Sequence, residues 1–313
     1  MKILLLGAGG QVGFELMRAL GPLGALSAAT RDGMLPGGAR CRVADLGAGA
    51  TALRALLDEA APDLIVNAAA YTAVDRAEDE AALARRINAE AVDTLGRWAA
   101  AHGVAVIHYS TDYVFGGGGG ARAWREDDAP TPHGVYAASK LAGEQALRAS
   151  GAPHLILRTA WVYAARGRNF LRTMLRLAGE RDTLRVVNDQ FGTPTPARLI
   201  ANATAAMLAR MTPRGGFAGD AAWGTYHLTA SGHTSWHGFA EALLQAAQRA
   251  GLIARMPEVL AIATADYPTR AQRPAWSVLD CTRVQDVFAL RLPDWQTALD
   301  AVIGELAGCG TQR

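Results

Sequence analysis

Tyr136 and Lys140 stand four residues apart in a helix-like stretch, Tyr136–Ala149, and residues at that spacing share one helix face. A neutral phenol beside a carbonyl can protonate its oxygen as a hydride reaches the carbon. An ammonium about 4 Å away would favour the tyrosinate left behind by about 4 kcal/mol at an effective dielectric near 20. The chain has 7 tyrosines and only two lysines, Lys2 and Lys140, so accident would supply roughly 0.03 to 0.05 such pairs. A surface Tyr–Lys contact is the structural alternative.

A hydroxyl able to polarise the same carbonyl lies in His108-Tyr109-Ser110-Thr111-Asp112-Tyr113-Val114-Phe115, running out of the apolar segment Val104–His108. Thr111 falls where a strand ends and a ligand would begin. Read alone, it is a strand-end hydroxyl capping a loop. Read with Tyr136 and Lys140, it completes a set for carbonyl reduction.

Such chemistry needs a hydride source, and Gly7-Ala8-Gly9-Gly10-Gln11-Val12-Gly13 directly follows the first apolar run. Gly7, Gly10 and Gly13 permit a tight turn, close approach of backbone N–H groups to a pyrophosphate, and close packing of the next helix. The spacing is weak by itself among 34 glycines; its position between strand and helix is the stronger signal. After the second run, where an acid would meet a free ribose 2′-hydroxyl, the chain offers Thr30-Arg31. That favours NADPH over NADH if Arg31 holds a 2′-phosphate; the alternative is a solvated arginine. Asp45, after the run Cys41–Ala44, either accepts from an adenine amine or caps a turn.

The elements that must position these residues are legible as a pattern. Short apolar runs at Ile3–Leu6, Leu26–Ala29, Leu64–Val66, Val104–His108 and Leu155–Leu157 alternate with amphipathic stretches such as Ala81–Ala101. This predicts βαβ units and an α/β, Rossmann-type doubly wound parallel sheet covered on both faces. Residues 1–165 are expected to form a dinucleotide-binding domain. Residues 166–313 are expected to form mainly a smaller C-terminal substrate-binding lobe, with helices at Phe170–Gly179, Ala197–Arg210, Trp236–Ala250 and Trp295–Leu306, and with some chain returning to the sheet. Gly116–Gly120 reads as a mobile loop.

Composition narrows the class. A chain of 313 residues, half of them hydrophobic and 19% charged, is ordinary for a folded protein. A net charge of +2 gives no reason to expect nucleic acid or an anionic membrane surface. Cys41, Cys281 and Cys309 lack metal or redox spacing, which fits a reducing cytoplasm. The N-terminal apolar run is broken by glycines before a signal core could form, and no run is long enough to span a bilayer.

The segments GAGGQVGFEL (7–16), VNAAAYTAVDRAE (66–78), HYSTDYVFGG (108–117), VYAASKLAGE (135–144), RTAWVYAARGRNF (158–170), VVNDQFGTPT (186–195) and TYHLTASGHTSWHGFA (225–240) are spread along the chain from residue 7 to residue 240. On them the protein resembles the extended short-chain dehydrogenase/reductase family. Within it, the likeness is to the branch that reduces the C4 keto group of dTDP-4-dehydro-L-rhamnose to dTDP-L-rhamnose for surface polysaccharide. The resemblance implies catalytic roles for Thr111, Tyr136 and Lys140. It implies NADPH or NADH contacts from Gly10, Gln11, Val12, Thr30, Asp45, Leu46, Ala70, Tyr71, Thr72, Tyr109, Tyr136 and Lys140, and sugar-nucleotide contacts from Thr111, Asp112 and Trp161. An indole face suits the apolar C–H surface of a deoxysugar, although a strand-end tryptophan is otherwise core. Arg168, Asn169 and Arg273 are either diphosphate or nucleotide contacts or structural residues.

Three departures from the resemblance carry expectations of their own. Thr30 replaces a common acid. Trp276 stands where an asparagine is common. Some relatives bind magnesium through glutamates at a dimer interface; Glu15 is present, but Arg198 occupies a partner position, so no metal site is expected and Glu15 should be an ordinary first-helix carboxylate favoured by the helix N-terminus. A monomer or a homodimer is equally compatible. Sugar-nucleotide dehydratases and epimerases share the Tyr/Lys pair, but a dehydratase usually carries Asp-Glu after the threonine, whereas this chain has Asp112-Tyr113. A non-catalytic cofactor-binding regulatory subunit need not keep Thr111, Tyr136 and Lys140 together.

Overall fold

The computed structural model describes residues 1–116, 122–212, 217 and 222–310, so Gly117–Gly120 of the expected glycine loop lie outside the described residues. The first half runs β1 (Lys2–Leu6), α1 (Gln11–Leu20), β2 (Ala25–Thr30), β3 (Arg42–Val43), α2 (Ala50–Ala60), β4 (Leu64–Asn67), α3 (Val74–Ala77), α4 (Ala81–Arg85), α5 (Ala91–His102), β5 (Ala105–Thr111), α6 (Gly134–Ala149) and β6 (His154–Thr159). The stretch read as one helix over Ala81–Ala101 is α4 and α5 joined by a π turn, Arg86–Glu90. That wider turn is a usual mark of a functional position, and it carries the buried Asn88.

β1 to β6 form a parallel sheet with the order β6-β5-β4-β1-β2-β3. Side chains alternate between its faces. Ile3, Leu5, Val66 and Ile107 pack in one core with α1, while Leu4, Leu6, Ile65 and Val106 pack in the other with α2 and α5. Both faces being covered is why the strands read as unbroken apolar runs. The order reverses between β1 and β4, and the crevice beyond their C-terminal ends is where such sheets take ligands.

The second half comprises β7 (Val162–Tyr163), α7 (Phe170–Glu180), β8 (Thr183–Val187), β9 (Phe191–Gly192), β10 (Thr195–Pro196), α8 (Ala197–Met211), β11 (Gly224–His227), β12 (Thr234–Ser235), α9 (Trp236–Arg249), β13 (Glu258–Ile262), α10 (Thr282–Phe288) and α11 (Trp295–Gly310). β11 pairs in parallel with β6 and makes a seventh strand, while α8 and α10 pack on the first core. A separate apolar core joins α7, α9 and α11. β8 and β13 form a two-stranded parallel ribbon beside it.

Candidate active site

The glycine turn after β1 has the geometry its sequence requires. Gly7 adopts φ +78°, and a Cβ there would lie 2.6 Å from the Ala69 nitrogen. A side chain on Gly13 would run into the Gly7 carbonyl, so α1 packs against the turn only because this residue has none. Gly10 caps α1 without a side-chain acceptor, which leaves first-turn N–H groups free for an anion. Gln11 is tied to the other half of the chain: its Nε2 donates to the Val162 carbonyl (3.4 Å), and its Oε1 accepts from Asn169 (2.9 Å). These features fit a dinucleotide pyrophosphate.

At the end of β2, Thr30 is buried and its hydroxyl is engaged locally, accepting from the Met34 N–H (2.9 Å) with Asp32 Oδ1 3.0 Å away. It shapes the turn that carries the exposed Arg31. Asp45 accepts from the Gly47 N–H (2.9 Å), a turn role, and Leu46 is buried beside it in the sheet core. Ala70, Tyr71 and Thr72 follow β4; Asn88 of the π turn grips this segment, accepting from the Tyr71 N–H (2.8 Å) and donating to its carbonyl (3.1 Å). Asn88 also donates to Ser139 on α6 (3.0 Å), so one buried amide joins the loop to the helix carrying Tyr136. The Tyr71 hydroxyl donates to Glu80 (2.7 Å).

Thr111 ends β5, and its hydroxyl donates to Asp112 Oδ1 (3.0 Å) while accepting from the Tyr113 N–H (3.2 Å). Its single proton is thus committed, and polarising a substrate carbonyl requires that hydroxyl to rotate. Asp112 is buried with Oδ2 unpartnered among the described residues. Burial pushes its carboxyl up to about 6, against the Thr111 hydroxyl bonded to Oδ1. An orphaned buried carboxylate oxygen beside the reacting hydroxyls suits a sugar hydroxyl as donor.

Tyr136 keeps part of its surface open, and its ring meets Tyr113 edge-on at 5.9 Å. Burial pushes its phenol up to about 12, with the Thr111 hydroxyl pulling the other way. It is therefore a protonated acid at neutral pH. Lys140 is buried and pulled down to about 8 by burial, with the Glu144 carboxylate opposing. No hydrogen bond joins the ammonium to the Tyr136 phenol: Nζ donates to the Tyr109 carbonyl (2.6 Å) and lies 3.3 Å from His108 Nε2. β5 runs under α6 and brings the Tyr109 carbonyl, an acceptor, and the His108 ring nitrogen within reach of the ammonium. Tyr109 reaches the site through that carbonyl alone, since its phenol is in the core bonded to Thr204 (2.8 Å).

Trp161 has φ +45° and stacks on Trp236 with ring centroids 3.5 Å apart and planes 3° from parallel. A side chain on Gly192 would run into its indole. Trp236 and Phe170 line a cavity of about 680 Å³, with Arg181, Arg185 and Arg273 on its wall. Arg273 is held bidentately by Asp75 (3.1 and 2.6 Å). Asn169 caps α7, accepting from the Arg172 N–H (3.0 Å), and its amide nitrogen is bound to Gln11, so it is a structural residue here; Arg168 is exposed. Trp276 donates from Nε1 to the Arg122 carbonyl (2.9 Å) and packs near His233.

Glu15 is not the ordinary first-helix carboxylate expected from the sequence. It is buried and accepts from Arg198 Nε (3.1 Å), while Arg198 Nη2 donates to Glu305 (2.8 Å). The guanidinium lies between the two carboxylates and supplies the positive charge that a divalent ion would otherwise bring. These residues do not fit a metal. Chelation with EDTA is expected to leave activity and the sedimentation profile unchanged; loss of either, restored by magnesium, would show that other carboxylates complete a site.

Several residues drew no functional reading from sequence. His108 and Asn67 are isolated polar residues within apolar strands, which was their only signal. Arg166 lies over the Phe14 ring at 3.5 Å, and its Nη1 is buried without a partner among the described residues. Nothing in its sequence neighbourhood separates it from Arg168.

A family model described as the RmlD substrate binding domain matches residues 1–307. The chain is 45% identical over 306 residues to the dTDP-4-dehydrorhamnose reductase of Shigella flexneri, covering 98% of each. Among solved structures it is similar to a dTDP-4-dehydrorhamnose reductase from Clostridium acetobutylicum, with TM-score 0.84, 31% identity and coverage of 98% of this chain and 99% of that one. It is also similar to the Bacillus anthracis enzyme of that name, solved in complex with NADP, with TM-score 0.82, 30% identity and coverage of 97% and 99%.

Proposed function

The chain belongs to the RmlD family of dTDP-4-dehydrorhamnose reductases, and from that membership we propose that it reduces the C4 keto group of dTDP-4-dehydro-L-rhamnose to dTDP-L-rhamnose with NADPH or NADH. The observation that carries the reading is Tyr136 held as a neutral acid under the influence of Thr111 at the end of β5, with Lys140 of the same helix anchored on the neighbouring Tyr109 carbonyl.

The nicotinamide, when bound, supplies a hydride to C4. Tyr136 gives its proton to the C4 oxygen, so that carbon gains the hydride and oxygen the proton. Lys140, held on β5, favours the tyrosinate that remains. Thr111 supplies a second hydrogen bond to the same oxygen once its hydroxyl turns from Asp112. Asp112 takes a substrate hydroxyl on its unpartnered oxygen. The stacked Trp161 presents an apolar wall to the deoxysugar, and the cavity with its three arginines suits the nucleoside diphosphate.

Gly7, Gly10, Gln11, Val12 and Gly13 would hold the pyrophosphate of the bound cofactor, and Ala70, Tyr71 and Thr72, which follow β4, would also contact it. Residues 1–165 are the dinucleotide half and 166–313 mainly the substrate half. No helix among the described residues is long and apolar enough to cross a membrane, and we place the enzyme in the cytoplasm, where reduced nicotinamide and nucleotide sugars are available. The test is to mix purified protein with NADPH and dTDP-4-dehydro-L-rhamnose and follow the absorbance of the reduced nicotinamide. Stoichiometric loss with formation of dTDP-L-rhamnose is expected, and no consumption would overturn the reading.

Cofactor choice follows from Arg31 at the end of β2. Arg31→Ala should raise KM for NADPH more than for NADH, because only NADPH carries the 2′-phosphate that a guanidinium can hold. A charge-assisted contact of about 1–3 kcal/mol corresponds to roughly 5- to 150-fold. Equal effects on the two cofactors would show Arg31 to be a surface residue.

A further inference from the structure

On the reading of the site as a ketoreductase, we propose that His108 is the positioning residue of Lys140, accepting one ammonium N–H at Nε2 while the Tyr109 carbonyl accepts a second, so that the third is kept for the cleft. The two acceptors are 3.3 and 2.6 Å from Nζ and belong to adjacent residues of β5. An ammonium held by one bond can spin about it. Held by two, it has a fixed orientation, and the remaining N–H has one direction, on the helix face that also carries Tyr136. Glu144 cannot share this task, because its oxygens are engaged by Ser110 (2.6 Å), Arg158 (2.9 and 2.7 Å) and Arg148 (3.1 Å).

His108 is suited to accept. It is buried, and burial together with the Lys140 charge holds its ring well below the ordinary histidine value, so the ring is neutral with one bare nitrogen. For that nitrogen to be Nε2, the proton must sit on Nδ1, which faces the Asn67 side-chain amide at 3.1 Å. Asn67 must then turn its oxygen to His108, a half-rotation that leaves the heavy-atom positions nearly unchanged. As the amide stands before that rotation, its oxygen accepts from the Ala69 N–H (3.2 Å) and its nitrogen faces Nδ1. The ring proton would then be on Nε2 and confront Lys140, which only a neutral amine tolerates. The charge of Lys140 is therefore tied to the tautomer of His108 and the orientation of Asn67. The ammonium form also frees the Ala69 N–H, which borders the glycine turn.

The experiment compares wild type, His108→Gln and His108→Leu in the NADPH-driven reduction. His108→Leu should lower kcat by about 10- to 100-fold, the scale of a slightly misplaced catalytic group, with KM for the sugar nucleotide within about twofold. His108→Gln, whose side-chain oxygen can accept the Nζ proton, should recover most of that loss. Leucine within about twofold of wild type in kcat, or glutamine as impaired as leucine in folded protein, overturns the proposal. Should neither variant fold, nitrogen NMR of the wild-type histidine rings in the NADP complex decides it: Nδ1–H with bare Nε2 is expected for His108, and Nε2–H overturns the proposal. A wild type that binds NADPH but reduces no sugar nucleotide removes the ketoreductase reading alone, and the ring tautomer still decides the arrangement around Lys140.

Discussion

Tyr136→Phe is expected to lower kcat by about 10²- to 10⁴-fold, the usual contribution of a positioned general acid, while NADPH binds with nearly wild-type affinity. The phenol oxygen is the group lost. The ring keeps its edge-on packing against Tyr113, and α6 keeps its attachment to the cofactor loop through Asn88 and Ser139, so the cleft should hold its shape. Burial pushes the phenol up to about 12, so the wild-type enzyme holds this proton throughout the neutral range. Cofactor binding followed by nicotinamide fluorescence and single-turnover reduction would separate the two effects. A turnover within twofold of wild type would assign the proton to another donor and sink the role given to Tyr136.

The same residues show what kind of information a sequence carries. Tyr136, Lys140 and Thr111 were legible because spacing on a helix and position at a strand end are local properties. The parallel sheet was legible because strands buried on both faces must be apolar throughout, as Leu4-Leu5-Leu6 is. What the sequence withheld was nonlocal. Spacing puts Lys140 on the face of Tyr136, but the two acceptors beneath it come from β5, and their reach depends on how α6 sits across that strand. Glu15 failed for the same reason: its partner Arg198, and the Glu305 that shares that guanidinium, are distant in sequence, and only the packing of α1, α8 and α11 joins them. The π turn at Arg86–Glu90 left no trace in the apolar pattern, which continues through it.

Arg158→Met is expected to cost about 3–5 kcal/mol of folding stability, the range for breaking a buried ion pair from one side. Arg158 is 2% exposed and Glu144 is fully buried. They meet in a two-pronged contact that fastens β6 to α6. Burial raises the Glu144 carboxyl, but hydrogen bonds from Arg158 and Ser110 and the charge of Arg158 overcome this and hold it below its ordinary value. Without the guanidinium, a buried carboxylate would retain only Ser110 and the partly exposed Arg148. Urea unfolding at neutral pH measures the change. The double variant Glu144→Gln/Arg158→Met should recover part of the loss, since it leaves no orphaned charge. A loss below about 1 kcal/mol for Arg158→Met would mean that water or Arg148 replaces the guanidinium and that the pair does not anchor the helix.

The pairing of β11 with β6 also orders events during synthesis. β6 is complete once residue 159 has left the ribosome, but the strand that covers its outer edge begins only at residue 224. At roughly 5–20 residues per second, the nascent chain exposes that edge for about 3–13 s, long compared with the microseconds in which a hairpin pairs. An uncovered strand edge is a template for other chains. The apolar segment His154–Thr159, satisfied on both sides in the finished molecule, is therefore open to pairing with other chains until the last third of the protein arrives.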